Sequence, residues 1–263
     1  MNAIPLVRSV APAPGIFEIR LGIPERLNAI DEEVLAQLNA VLDEAEADPT
    51  VRALLIGGDG RAFCAGANYK KHVKDERTMY QKRQYVDMIF DTYRRIHRFD
   101  KPVVAAVQGI AAGAGAELAV NCDFILMADD SELWFPEIGV ATFIGCGVTV
   151  LLPRLVGLGR AREMLLLGER VNARDAVAMG LATRTFPADG LHAGALDFVE
   201  RLAARAPVPL SLAKRQLNAG ITRDYDTALV AEREAVLACM MTEDWKEGVR
   251  AFAEKRKPVY TGR

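Results

Sequence analysis

Long apolar runs are missing from this 263-residue chain. The most apolar stretch, 102–120, is interrupted by Gln108 and Glu117 and carries glycines. A membrane helix needs about 20 continuous apolar residues, so the stretch reads as buried core. Excess charge of one sign is missing as well. Lys and Arg number 33 against 35 Asp and Glu, a net charge of −2, which argues against a nucleic-acid partner. Paired cysteines are absent: Cys64, Cys122, Cys146 and Cys239 are scattered without a C-x-x-C pair. Thiols so placed in a chain of this length read as reduced, in a reducing compartment. Serine is scarce (Ser9, Ser131, Ser211) and lies in no G-x-S-x-G elbow, which argues against serine hydrolysis. His72, His97 and His192 share no ligand spacing, and neither H-E-x-x-H nor a Walker-type phosphate loop occurs. No metal site is expected. The first residues lack a basic segment followed by an apolar one, so no signal peptide is read and a cytoplasmic protein is expected.

What is present is ordinary globular composition, 51 % hydrophobic and 26 % charged, too apolar for a disordered chain. The length suits one large α/β domain, alone or with a small helical appendage. Residues 6–10 and 16–21 alternate around a Pro-Gly turn and predict a hairpin. Asp31 reads as an N-cap before Val34, Leu35, Leu38, Val41 and Leu42, the apolar face of one helix. Residues 51–56 and 102–107 read as buried strands. Residues 78–98 return to helical spacing with Val86, Ile89, Phe90, Tyr93 and Ile96. Short strands follow at 124–127 and 133–135. After about residue 150 helical patterns dominate, at 160–167, 173–179, 191–206, 210–218 and 227–241, punctuated by Gly and Pro.

The segment 101–123, KPVVAAVQGIAAGAGAELAVNCD, is the most informative. A buried strand meets Gly109, Gly113, Ala114 and Gly115 and then a helix. Such a turn gathers free N–H groups and the positive end of a helix dipole, where an oxygen gaining negative charge fits. A dinucleotide fingerprint is one reading, with Asp129–Asp130 in the place of the ribose-binding acid. The spacing is G-x-x-x-G-x-G, however, not G-x-G-x-x-G. The other reading starts from Glu117, on the first turn of the helix. Side chains tilt toward a helix N-terminus, so its carboxylate reaches the space that the N–H groups face, as proton transfer beside a carbonyl requires. Alone, it would simply complement the dipole. Two companions shift the balance. The small-residue turn Phe63–Asn68 can offer another N–H. Glu137, among Trp134, Phe135, Pro136 and Ile138, is an acid whose burial would raise its pKa. Cys64 reads as a small buried side chain, not a nucleophile.

The chain resembles the crotonase superfamily of enoyl-CoA hydratases and isomerases. LNAI at 27–30, RAFCAGAN at 61–68, the 101–123 segment, FPEIGV at 135–140, the block at 152–187 and EDWKEGVRAFAEKRKP at 243–258 carry the resemblance. It implies an α/β crotonase-like (ClpP/crotonase) fold of repeated ββα units, with an acyl-CoA site in residues 1–200 and a helical trimerisation region in 201–263. The implied partners are acyl-CoA thioesters and two further copies of the chain, as a homotrimer or a dimer of trimers, with neither nucleic acid nor membrane. By matching positions the oxyanion hole would be the backbone N–H groups of Ala67 and Ala114, the latter where the family usually has glycine. Glu117 and Glu137 match the glutamate pair of family hydratases.

That pair points to addition of water to a 2-enoyl-CoA, or the reverse, with no cofactor besides the coenzyme A of the substrate. Arg26, Leu27 and Ala29 would wrap coenzyme A, with Lys255 and Lys257 toward its phosphates. Ala65, Asn68, Gly113 and Pro136 would line the acyl thioester. The EKRK run at 254–257 reads equally as a solvated helix end, and KKHVK at 70–74 as a solvated loop flank. Two departures fall near the acyl pocket: Asn68 stands where an aspartate is usual, and the loop after Gly139 reads VATFIGCG. Trp134, Phe143 and Ile144 could shape that pocket or belong to the core. The alternatives are an enoyl-CoA isomerase working through Glu137 and a catalytically silent acyl-CoA-binding trimer.

Overall fold

The structure, a computed structural model, describes residues 5–72 and 76–263. Its main sheet has the order β1-β2-β3-β4-β6-β9. β1 (Val7–Val10) and β2 (Ile16–Leu21) form the expected antiparallel hairpin. β3 (Ala53–Gly58), β4 (Val103–Val107), β6 (Phe124–Ala128) and β9 (Arg184–Phe186) follow in parallel. β3 and β4 are buried at every residue, which explains their continuous rather than alternating apolar sequence. A second sheet holds β5 (Ile110–Ala112), β7 (Glu132–Trp134) and β8 (Val171–Asn172).

The helices are α1 (Glu32–Ala47), α2 (Tyr69–His72), α3 (Met79–Arg98), α4 (Ala114–Val120), α5 (Val148–Arg162), α6 (Ala173–Ala178), α7 (Leu191–Ala203), α8 (Pro207–Ala219), α9 (Tyr225–Met240) and α10 (Glu243–Ala253). Asp31 caps α1, accepting from Val34 N–H at 3.3 Å, and the five apolar residues expected on its inner face are buried. They join Leu54, Ile56, Val103, Ala105 and Leu118 in the larger core. The opposite sheet face, with Leu55, Val104 and Leu126, packs under Leu191, Ala195 and Val199 of α7. α8 is held to the sheet by Lys214, whose ammonium meets Asp123 Oδ2 at 2.6 Å and the Lys101 carbonyl at 3.2 Å.

Two expectations need correction. The glycine-rich segment after β4 is not a plain strand-to-helix turn. β5 intervenes and pairs in the second sheet, an arrangement a dinucleotide-binding βα turn does not have. In α3, Tyr93 and Ile96 are buried, but Val86 and Phe90 remain 44 % and 46 % exposed. Lys71, expected in a solvated flank, keeps its side chain 51 % exposed while pairing with the buried Asp31 at 2.8 Å. Lys70 of that flank is exposed, while its residues 73 and 74 and the first four residues of the chain lie outside the described residues. No helix among the described residues is long and apolar enough to cross a membrane.

Candidate active site

Two backbone turns meet where β5 ends. Ala112 N–H donates to the Cys64 carbonyl at 3.0 Å, and Cys64 N–H to the Ile110 carbonyl at 3.0 Å. The approach is close enough that only glycine fits. A side chain at Gly115 would put its Cβ 2.1 Å from Cys64 O, and one at Gly66 (φ +101°) 2.8 Å from Ala112 O and 3.6 Å from Ala114 N. The Phe63–Asn68 turn is braced from the far side by the 27–30 segment. Ala65 N–H donates to Leu27 O at 2.9 Å, Ile30 N–H to Gly66 O at 2.8 Å, and Asn68 N–H to Ile30 O at 2.8 Å. Asn28 anchors that brace. It is fully buried at φ +57°, a conformation asparagine tolerates. Its Oδ1 accepts from Ile23 N–H at 2.8 Å, and its Nδ2 donates to the Asp59 and Ala62 carbonyls at 2.9 and 2.8 Å. Ala67 and Ala114 lie on these turns, both half-buried. Among the described residues neither N–H has a hydrogen-bond acceptor. Tyr93, fully buried, donates from its hydroxyl to Ala114 O at 2.7 Å and steadies the second turn.

The two glutamates come together here. Glu117, 6 % exposed on α4, accepts from Gly145 N–H at 2.6 Å. Burial raises its pKa, and the bond from Gly145 partly offsets the rise. Glu137, 5 % exposed, follows β7 at the start of the short 3-10 turn Ile138–Val140. Its Oε1 lies 2.9 Å from where a Cβ at Gly113 would be, and its Oε2 is buried without a partner among the described residues. Burial raises its pKa to about 7, with the Glu117 charge adding to the rise. The phenol of Tyr69 senses both carboxylates, its pKa raised by burial and by their charges. The ensemble holds two carboxyl groups of unequal proton affinity beside two unengaged N–H groups. Such a set can move a proton at a carbon next to a carbonyl whose oxygen the N–H groups receive.

The remaining candidates are placed as follows. Ala65 and Gly113 belong to the same turns, and Pro136, just after β7, lies against Gly113, its Cδ 3.8 Å from where a Cβ would be. Leu27 and Ala29 are half-buried beside them. Arg26 and Asn68 meet at one atom: Asp31 Oδ2 accepts from Arg26 at 3.3 Å and from Asn68 at 3.2 Å. Asn68 therefore spends its amide on the α1 cap. Lys255 is exposed just beyond α10 at φ +53°, while Arg256 of the same run is paired to Glu247 and Glu254. Cys64 is fully buried with its thiol pushed up to about 12, an inert group. Ile144 is buried and Phe143 is 79 % exposed. Trp134 lies under the Arg170 guanidinium at 4.3 Å. Tyr69, Tyr93, Asn121, Gly145 and Cys146 were not singled out from the sequence. Asn121, one turn after Glu117, and Gly145 and Cys146, in the divergent loop after Gly139, carried a positional signal. Among the described residues no cluster could hold a metal ion.

Comparison with known proteins adds a consistent picture. The family model described as enoyl-CoA hydratase/isomerase matches residues 12–263. A short-chain-enoyl-CoA hydratase of Clostridium acetobutylicum is 34 % identical over 240 residues, 91 % of each chain. A 1,2-epoxyphenylacetyl-CoA isomerase of Escherichia coli is 35 % identical over 257 residues, 95 % of this chain and 96 % of the relative. The solved structure of an enoyl-CoA hydratase from Bacillus anthracis superposes with a TM-score of 0.94 at 33 % identity, covering 98 % of this chain and all of the other.

Proposed function

This chain belongs to the enoyl-CoA hydratase/isomerase family of the crotonase superfamily, and on that premise we propose that it adds water to a 2-enoyl-CoA or removes it from a 3-hydroxyacyl-CoA. The observation that carries the reading is the pair of buried glutamates flanking the Gly113–Ala114 turn. The thioester oxygen sits between the N–H groups of Ala67 and Ala114. Enolate character develops on it, and loss of one such donor typically costs about 2.7–4 kcal/mol. Glu117, which receives the Gly145 N–H, orients a water and takes its proton as the water oxygen bonds to Cβ. Glu137 starts protonated, as its raised pKa favours, and delivers a proton to Cα. Product release and one proton exchange restore the pair. The step as proposed calls on no cofactor.

An isomerase reading draws on the unpartnered Glu137 Oε2, which could shuttle a proton between two carbons of a 3-enoyl-CoA without help from Glu117. Crotonyl-CoA decides between them. Loss of the enoyl-thioester absorbance with wild-type protein, reduced about 10²–10⁴-fold in both Glu117→Gln and Glu137→Gln, is expected for hydration. Turnover of 3-enoyl-CoA that survives Glu117→Ala would replace hydration with isomerisation. Thioester binding without turnover of either would leave an acyl-CoA binder. For assembly we propose a trimer closed through the C-terminal helices. α9 has no buried residue, and Leu217, Met241 and Phe252 are 77–88 % exposed. A single-chain mass in sedimentation would refute it.

A further inference from the structure

Helix α3 carries two apolar residues that the core leaves uncovered, Val86 and Phe90, four residues apart on one face of the helix. The helix itself is held fast. Tyr93, three residues after Phe90, is fully buried and donates to the Ala114 carbonyl at 2.7 Å, and Asn39 of α1 donates to Thr92 Oγ1 at 2.7 Å. So anchored, α3 sets the Phe90 ring against the loop that meets Glu117. A Cβ at Gly145 would lie 3.0 and 3.1 Å from Phe90 Cζ and Cε2 and 3.6 Å from Glu117 Oε1. The Gly145 N–H donates to that same oxygen at 2.6 Å. Ring and carboxylate are thus neighbours across one glycine. The ring also lines a cavity of about 870 Å³ between α3, the start of α5 and the end of α8, together with Asn121, Cys146, Val150 and Leu151. Neither Glu117 nor Glu137 nor Gly145 reaches that cavity, so the ring stands between it and the glutamates. Its volume is within the range of about 300–1,000 Å³ that takes a small ligand. The basic side chains along it are engaged, Arg94 with Asp91, Lys214 with Asp123 and Arg215 with Asp100.

We propose that Phe90 determines acyl-chain length: its ring closes the acyl pocket just beyond Glu117 and partitions it from the cavity, so the protein takes short acyl groups. The proposal rests on the reading that Glu117 activates the water that bonds to Cβ. With the thioester oxygen at Ala67 and Ala114 and Cα at Glu137, Cβ lies at Glu117. Every carbon after Cβ then leaves the site past that carboxylate, where the Phe90 ring stands. The bonds from Tyr93 and to Thr92 on either side of the next helical turn oppose any shift of α3, so the ring is a fixed boundary. Such a wall discriminates sharply, a single methylene in an apolar pocket being worth about 10–200-fold. Removing the ring joins the pocket to a space already formed.

The test is the ratio of affinities for two saturated thioesters, butyryl-CoA and octanoyl-CoA, measured by titration calorimetry on the assembled protein. Wild type is expected to bind octanoyl-CoA no tighter than butyryl-CoA. Phe90→Ala is expected to move the ratio by about 10-fold or more in favour of octanoyl-CoA, at roughly four-fold for each methylene that enters the cavity. Phe90→Leu, a milder truncation, is expected to move it the same way by less, and Phe90→Tyr, which keeps the ring, to leave it at the wild-type value. A purely structural role for Phe90 would weaken both thioesters alike, so an unmoved ratio in Phe90→Ala and Phe90→Leu overturns the proposal. So does wild-type protein that already binds octanoyl-CoA about 10-fold tighter than butyryl-CoA. Neither thioester has a double bond to hydrate, and affinity is read without turnover. A protein that fails to hydrate crotonyl-CoA sinks the hydration reading, while the ratio still decides whether Phe90 sets the chain length.

Discussion

Replacing Asn28 with alanine removes three hydrogen bonds from a side chain with no exposed surface. The costs can be assigned one by one. Ile23 N–H loses its acceptor inside the core, worth about 1–3 kcal/mol. The Asp59 carbonyl loses its donor closer to solvent, toward the low end of the same range. The Ala62 carbonyl keeps a weaker donor in Gln108 Nε2 at 3.2 Å, so its loss is small. Alanine must then hold φ +57° without the local hydrogen bonding that eases asparagine there, about 1 kcal/mol more. The sum is about 3–5 kcal/mol. At about 2–4 °C per kcal/mol for a chain of this size, the melting temperature should fall by roughly 6–20 °C at fixed protein concentration. Asn28→Asp keeps the acceptor for Ile23 but turns a carboxylate toward two carbonyls, so it should be at least as damaging at pH 8 and recover in part on acidification. Urea unfolding with an unchanged denaturant slope checks the magnitude. A loss for Asn28→Ala below about 1 kcal/mol would mean that water replaces the amide, and that the 27–30 segment does not brace the catalytic turn in the way described.

Two further outcomes follow from the site. Gly113→Ala places a Cβ 2.9 Å from Glu137 Oε1 at a backbone φ of +51°. Displacement of the carboxyl by a fraction of an ångström to an ångström should cut kcat by about 10²-fold with little change in thioester binding, which steady-state kinetics on crotonyl-CoA would show. The pH profile of hydration should be bell-shaped. Under the proposed mechanism, activity should fall as pH rises through about 7, where Glu137 loses the proton that mechanism has it donate, and fall on the acid side above the ordinary carboxylate range, because burial raises Glu117 as well. The two limbs belong to the coupled pair. A profile flat between pH 6 and 9 would remove Glu137 as the acid.

Legibility in the sequence followed the strength of local patterning. α1 was readable because a capping Asp31 and a five-residue apolar stripe agree. β3 and β4 were readable as continuous apolar runs. β5, β8 and β9 were not, since two or three residues carry no period and their pairing is set by the partner strand. Val86 and Phe90 fit the helical stripe of α3 yet stay largely outside the core, because a period reports the face of a helix and not what covers it. At the site, the burial of Glu137 was foreshadowed by its apolar neighbours. The engagement of Asn68 with Asp31 was not, because it depends on two segments meeting 37 residues apart. Gly145 lay in a loop that stood out only as a departure from the family pattern, with nothing to say that its N–H meets Glu117.

The close backbone approach at Gly66, Gly109 and Gly115 also fixes where this protein can change its chemistry. A Cβ at Gly109 would lie 2.0 Å from the Arg61 carbonyl, and one at Gly115 2.1 Å from that of Cys64. Rigid backbone on both sides makes these positions intolerant of any side chain, so neither natural drift nor a mutagenesis library can retune the enzyme there. Gly139, four residues past Phe135, has nothing within 4 Å of a new Cβ. If the proposed site is right, diversity introduced there would leave the two glutamates standing, and selection for new acyl groups should accumulate substitutions between 138 and 144.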